Sequence, residues 1–265
     1  MLQKIKKFMA VGVIVLLFPY VITLFFNGRS VETSQNPKLD EYCIHMLARE
    51  VSSDYEEELL KAQAVIVRTT VYKNVKEIDF EAYESMKLDP VWHQKLKKVW
   101  KETEGQVLMY QGELALLPFH RLSNGKTRDG KEVFESDAYP YLQSKDCFYD
   151  LEAKEQVQIQ KLDVQGATIQ KIDSQGYVLE VKSGEEVCSG DQFREAYDLR
   201  SSCYEIKVQG EETFVVTKGV GHGVGLSQYT ANALAKQGRD YQEILAYFFE
   251  GTEMQEVAQI LWEIE

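Results

Sequence analysis

Gly219-Val220-Gly221-His222-Gly223-Val224-Gly225-Leu226-Ser227-Gln228-Tyr229 sets four glycines and a histidine directly before a helical pattern. Glycine costs backbone entropy, so a run this dense marks a loop that turns left-handed or lies against something closely, whether the protein's own backbone or a ligand. The helix expected from about Leu226 offers unpaired N–H groups in its first turn, and Ser227, Gln228 and Tyr229 present polar side chains at the same edge. A dinucleotide fingerprint is excluded, because G-x-G-x-x-G needs a glycine at Val224, Leu226 or Gln228.

Working back from this loop, the text from Ala167 to Lys218 reads as strands: Thr168 to Ile172, Tyr177 to Val181, Cys203 to Val208 and Thr213 to Thr217. One helix, opened by Ser189 and running to about Leu199, interrupts them. Gly105 to Tyr110 and Glu113 to His120 read as two more strands joined at Gln111-Gly112. The N-terminal part is helical instead. Asp40 is the expected N-cap of a helix through about Val51, Ser53-Asp54-Tyr55-Glu56 an expected capping box for a helix to about Asn74, and Leu88 to Trp100 a third. Two short helices follow the glycine loop, stopped at Gly238 and Gly251. The fold class is α+β, a mixed helical and β-sheet domain over residues 39–265.

Phe8 to Phe26 is nineteen residues without a charge, the lower end of what a helix needs to cross a bilayer. Lys4, Lys6 and Lys7 precede it, which puts the N-terminus (1–7) in the cytoplasm and the domain outside. Phe25-Phe26-Asn27-Gly28 lacks a small-x-small cleavage pattern, so the reading is an uncleaved single-pass anchor, with 27–38 as a tether. All 42 acidic residues and 26 of the 30 basic ones lie beyond residue 30, a formal excess of 16 negative charges. That excludes nucleic acid as a partner, which needs a basic footprint. A neutral or locally recognised ligand such as a glycan fits better. Cys43, Cys147, Cys188 and Cys203 match no zinc spacing. Cys188 and Cys203 are placed to pair across neighbouring segments, and free buried thiols are the alternative.

GVGHGVGLSQY resembles the signature of the stage II sporulation protein D family. The likeness extends through Glu41-Tyr42, Ala48-Arg49-Glu50 and Leu59-Leu60-Lys61-Ala62-Gln63-Ala64-Val65-Ile66-Val67-Arg68-Thr69-Thr70, then Phe119-His120 with Ser123, Gly125 and Thr127, then Tyr139-Pro140-Tyr141-Leu142, and finally Phe193-Arg194 before Leu199. Arg121 departs from the pattern, and Thr230 stands where the family usually has glycine. The resemblance implies a peptidoglycan lytic transglycosylase acting in engulfment during sporulation. It cleaves between N-acetylmuramic acid and N-acetylglucosamine to leave 1,6-anhydro ends, preferring strands already stripped of peptide by a cell-wall amidase.

By position alone Glu50 is a carboxylate near a helix C-terminus, which the macrodipole slightly disfavours. The resemblance makes it the single catalytic acid and base. Such a reaction needs an acid but no second carboxylate, unlike hydrolytic glycosidases. Arg68, Ser123, His222, Ser227, Gln228 and Tyr229 are the candidates to position the sugar or hydrogen-bond the carboxyl. No cofactor or metal is expected. Two alternatives come from other classes: a zinc amidase built on Glu50, His120 and His222, and a non-catalytic glycan-binding enhancer of an amidase.

Overall fold

The computed structural model describes residues 37–74, 87–164 and 166–256. The expected membrane span at 8–26 and most of the tether lie outside these residues. Among the described residues no helix is long and apolar enough to cross a membrane.

Three helices open the domain: α1 (Pro37–Glu50), α2 (Glu57–Lys73) and α3 (Pro90–Glu102). α1 begins before the expected cap, because Asp40 accepts a hydrogen bond from Trp100 Nε1 at 3.0 Å and so ties α1 to α3. The expected capping box at 53–56 does not form. Residues 52–55 make a turn, α2 starts at Glu57, and the Glu56 N–H is bound by Asn232 Oδ1 at 2.8 Å, a partner distant in sequence. Asp89 caps α3 through Val91 N and Trp92 N, with Pro90 in the first turn, where its missing N–H costs nothing.

α2 is buried on opposite faces. Leu60, Ala64, Val67 and Val71 pack with α1 and α3, while Leu59, Ala62, Val65 and Ile66 pack into a second core with Leu226, Leu245 and Phe248. At roughly 1.5–3 kcal/mol for each fully buried aliphatic side chain, α2 is the element that unites the two. A third core, with Val178, Val181, Phe193, Tyr204 and Val215, belongs to the β-rich part.

β1 (Gln106–Tyr110) pairs antiparallel with β2 (Glu113–Leu114) across the Gln111-Gly112 turn, and on its other side with β11 (Glu253–Glu256). The single strand expected over 113–120 is broken, since only Phe119–His120 (β3) pairs again, in parallel with β10 (Leu226–Ser227). α4 (Gly130–Phe134) and a short 3-10 turn (Phe148–Glu152) follow β3. Two three-stranded antiparallel sheets come next. One joins β4 (Val157–Leu162), β9 (Glu212–Lys218) and β8 (Tyr204–Gln209), the other β5 (Thr168–Ile172), β6 (Val178–Ser183) and β7 (Glu186–Ser189). β4, β7, β10 and β11 are absent from the sequence reading, and Leu226–Ser227, expected to open a helix, pairs as β10 instead. Ser189 caps α5 (Gly190–Ala196) in a full capping box with Gln192, as expected. The chain closes with α6 (Gln228–Lys236) and α7 (Tyr241–Phe248).

Candidate active site

Glu50 is the last residue of α1, where the chain turns through Ser52 to Tyr55 towards α2. There it lines an open groove of about 470 Å³ together with Arg49, Val51, Ser52, Tyr55, Phe119, His120, Arg121 and Gln228. Glu50 is half-buried, and its carboxylate has no hydrogen-bond or ion-pair partner among the described residues. Its backbone is held firmly. Gln228 Nε2 donates to the Glu50 carbonyl at 2.8 Å, and the Gln228 amide also meets Gln63 Oε1 at 3.3 Å and the Tyr55 hydroxyl at 3.5 Å. One glutamine at the start of α6 therefore fixes the end of α1 against α2.

The glycine loop is what brings Gln228 there. It runs beside the 118–123 segment: Val220 exchanges both backbone bonds with Leu122, and Leu226 N donates to Pro118 O at 3.0 Å. Gly225 has φ +73°, and a Cβ there would strike the Pro118 carbonyl; at Gly223, φ +83°, it would strike the Tyr177 ring. The glycines serve close approach to the protein itself. They let β10 lie against β3, and α6 starts where β10 ends.

His120 sits in the groove wall, 4% exposed. Its Nδ1 faces the Val224 carbonyl at 3.1 Å and so carries the proton, which makes Nε2 an acceptor with no partner among the described residues. Burial, aided by the neighbouring His222, pushes the His120 pKa down to about 3 and keeps the ring neutral. The two imidazoles meet at 5.8 Å between centroids. His222 is also shifted down by burial, and its Nδ1 accepts from Val224 N at 3.1 Å.

Behind the groove lies a buried carboxylate, Asp150, in the 3-10 turn. It accepts from Ser123 N at 2.6 Å, from Ser227 Oγ at 2.7 Å and from Thr230 Oγ1 at 2.7 Å. Burial pushes its pKa up, and these donors pull it back. A second buried charge, Arg128, ties the loop down by donating to Asp173 at 2.7 Å, Asp191 at 3.0 Å and the His222 carbonyl at 3.2 Å.

Of the residues singled out by sequence, Glu50 and Gln228 meet in the groove, while His222 lies against the His120 ring and is not among the groove's lining residues. Ser227 caps α6 and, with Ser123, belongs to the Asp150 cluster; both are fully buried. Tyr229 donates its backbone N–H to the Arg121 carbonyl at 3.1 Å, and its side chain is half-exposed. Arg68 is not brought to the groove. It is 1% exposed, stacked 3.7 Å from the Trp100 ring centroid, and it donates to the carbonyls of Trp100, Thr103 and Gln106 at 3.0, 2.7 and 3.2 Å. That is a cap on the C-terminal end of α3, where a cation suits the helix dipole.

A family model described as Stage II sporulation protein matches residues 27–110. Stage II sporulation protein D of Bacillus amyloliquefaciens is 29% identical over 273 residues, which cover 89% of this chain and 78% of that protein. Its counterpart in Bacillus subtilis (strain 168) is 29% identical over 268 residues, 87% of this chain and 78% of that protein. Residues 27–110 thus carry a stage II sporulation protein domain, and most of the chain is similar to stage II sporulation protein D. A protein of Bacillus subtilis (strain 168) named Amidase enhancer is more distant, 23% identical over 281 residues, covering 78% of this chain and 39% of that protein.

Thr230, where the resemblance leads one to expect glycine, is helical and hydrogen-bonds Asp150, so a side chain there is used and not merely tolerated. No three His, Cys, Asp or Glu side chains converge to hold a metal ion among the described residues. The set Glu50, His120 and His222 thus does not assemble as zinc ligands, the two histidines having turned their Nδ1 atoms to the Val224 backbone. All four cysteines are free, which overturns a Cys188–Cys203 bridge. Sequence reasoning missed Arg49 and Tyr55 as groove residues and Asp150 and Arg128 as its supports. Adjacency to Glu50 was a signal for Arg49; the buried pair carries no local signal, because its partners come from remote segments.

Proposed function

We propose that this chain is a peptidoglycan lytic transglycosylase whose single catalytic group is Glu50. The observation that carries the reading is the make-up of the groove: among its described lining residues Glu50 is the one carboxylate, and it is unpaired. Glycoside hydrolysis ordinarily needs a second carboxylate across the scissile bond, as nucleophile or as base for water. A transglycosylase does not. Glu50 as the acid gives its proton to the glycosidic oxygen as the bond from the muramoyl C1 breaks. The resulting carboxylate takes the proton of the 6-hydroxyl as O6 closes on C1, which forms the 1,6-anhydro ring and restores the acid with no water consumed.

The surrounding residues suit that role. Gln228 holds the backbone of the acid, and the neutral His120 ring forms part of the groove wall. The setting of the reaction is wall remodelling in sporulation, with the domain held outside the membrane by the apolar 8–26 segment and with an amidase supplying stripped strands. The test is mass spectrometry of intact and amidase-treated peptidoglycan after incubation with the purified chain and with its Glu50→Gln form. Anhydro-muramoyl ends from the unaltered chain alone are expected. Reducing ends would show hydrolysis instead.

The likeness to a protein named Amidase enhancer favours a second reading, a glycan-binding module that aids an amidase. Under it, Glu50→Gln would leave the effect on a partner amidase intact and neither form would yield products alone.

A further inference from the structure

The Glu50 groove carries two cations that the reaction at Glu50 does not use. Arg49 is exposed and makes no hydrogen bond or ion pair with any described residue. Arg121, on the facing segment, donates to Glu155 at 2.8 Å with its side chain 59% exposed. The buried arginines behave differently: Arg68 and Arg128 are both committed to partners inside the fold. In a chain of net charge −12, an unpaired guanidinium opening on a groove is out of keeping with the general surface and points to an anionic ligand.

We propose that Arg49, with Arg121 in support, forms a carboxylate subsite that reads the free lactyl group of a peptide-stripped muramic acid. The inference rests on the transglycosylase reading, and it names what that reading leaves open, the residue that selects the strand. The lactyl ether is on C3 of the same ring whose C1 reacts, with only C2 between them. Arg49 and Glu50 line one groove, so a muramoyl ring bound at Glu50 has the guanidinium in the same groove. While a stem peptide is attached, the lactyl carbonyl is an amide without charge. An amidase converts it to a carboxylate, which a guanidinium fork binds through two parallel N–H bonds. Arg121 can join at little cost, since an exposed ion pair such as that with Glu155 is worth at most about 1 kcal/mol.

The test uses binding, so it does not depend on turnover. In the full chain carrying Glu50→Gln, calorimetry compares stripped muramoyl glycan oligomers with free lactyl carboxylates against the same oligomers methyl-esterified. The free acid is expected to bind about tenfold tighter, the size of one charge-assisted contact, with the advantage shrinking as salt rises. Adding Arg49→Gln is expected to bring the two ligands within about twofold, Arg49→Lys to restore part of the gap, and Arg121→Gln to reduce it less. Equal binding of acid and ester by the starting protein, or a gap that survives Arg49→Gln, overturns the proposal. If Glu50 proves not to be catalytic, the acid-to-ester ratio still reads the subsite; if the subsite is wrong, the anhydro products remain to be found.

Discussion

Glu50 and Asp150 are two carboxylates serving one site under opposite conditions. Glu50 stands half-buried in a groove with no partner for its oxygens, while Asp150 is fully buried and accepts from Ser123, Ser227 and Thr230. An unpaired acid in an accessible site is free to exchange a proton with something that enters. A buried acid surrounded by donors is a fastening, because each donor would be left unsatisfied without it. On the proposed reading, reactivity and rigidity are divided between two residues.

The largest expected effect breaks this contrast from the open side. Glu50→Gln should lower the yield of anhydro products by about a thousandfold or more, the scale of losing general acid and base catalysis together, while the urea midpoint stays where it was. A large loss of stability in that variant would mean that Glu50 is structural after all. From the closed side, Asp150→Ala should cost about 3 kcal/mol, because it strands several buried donors; urea unfolding measures this, and a loss below ~0.5 kcal/mol would overturn the fastening role.

Acid should sharpen the same division. His120 is held neutral, with its folded pKa near 3 and its unfolded one at the ordinary 6.5. Stability from this residue is fully present above pH 6.5 and falls as pH drops towards 3, because the unfolded chain takes up the proton first. The slope is about 1.4 kcal/mol per pH unit below 6.5, so roughly 2 kcal/mol should be lost between pH 6.5 and 5. Unfolding curves of the unaltered chain and of His120→Asn, taken at both pH values, check it; equal slopes would reject the assignment. Smallest of all, Gln228→Ala should cost about 1 kcal/mol of stability through the lost bond to the Glu50 carbonyl. It should also slow turnover by about tenfold, by loosening the end of α1. An effect on stability without one on rate would separate the floor of the groove from its chemistry.

The parts of this fold that were legible in the sequence are those decided by neighbours. The apolar stripe of α2, the Ser189 capping box, the Gln111-Gly112 turn and the glycine loop all rest on local periodicity or backbone freedom. What was misread depends on partners far along the chain. The N–H of Glu56 at the start of α2 is met by Asn232, the acceptors of Arg68 belong to the end of α3 and the start of β1, and the donors to Asp150 come from two other segments. Ser123 and Ser227 look like sugar ligands as isolated hydroxyls in a glycine-rich context. They turn inward because a buried carboxylate claims them, a fact no spacing rule encodes. The strand at Glu253–Glu256 was missed because its pairing face is supplied entirely by β1.

The bond between Gln228 and Glu50 spans 178 positions of the chain. A polypeptide made N-terminus first at about 5–20 residues per second therefore exposes its acid roughly 10 to 35 seconds before the glutamine that braces it. Until then the second core of α2 lacks its C-terminal helices, and the β3 segment of the groove has no β10 to pair with. Completion of the groove is a late event in the birth of each molecule, so a nascent or C-terminally clipped chain would carry the glutamate without the pocket, a timing safeguard set by chain order alone.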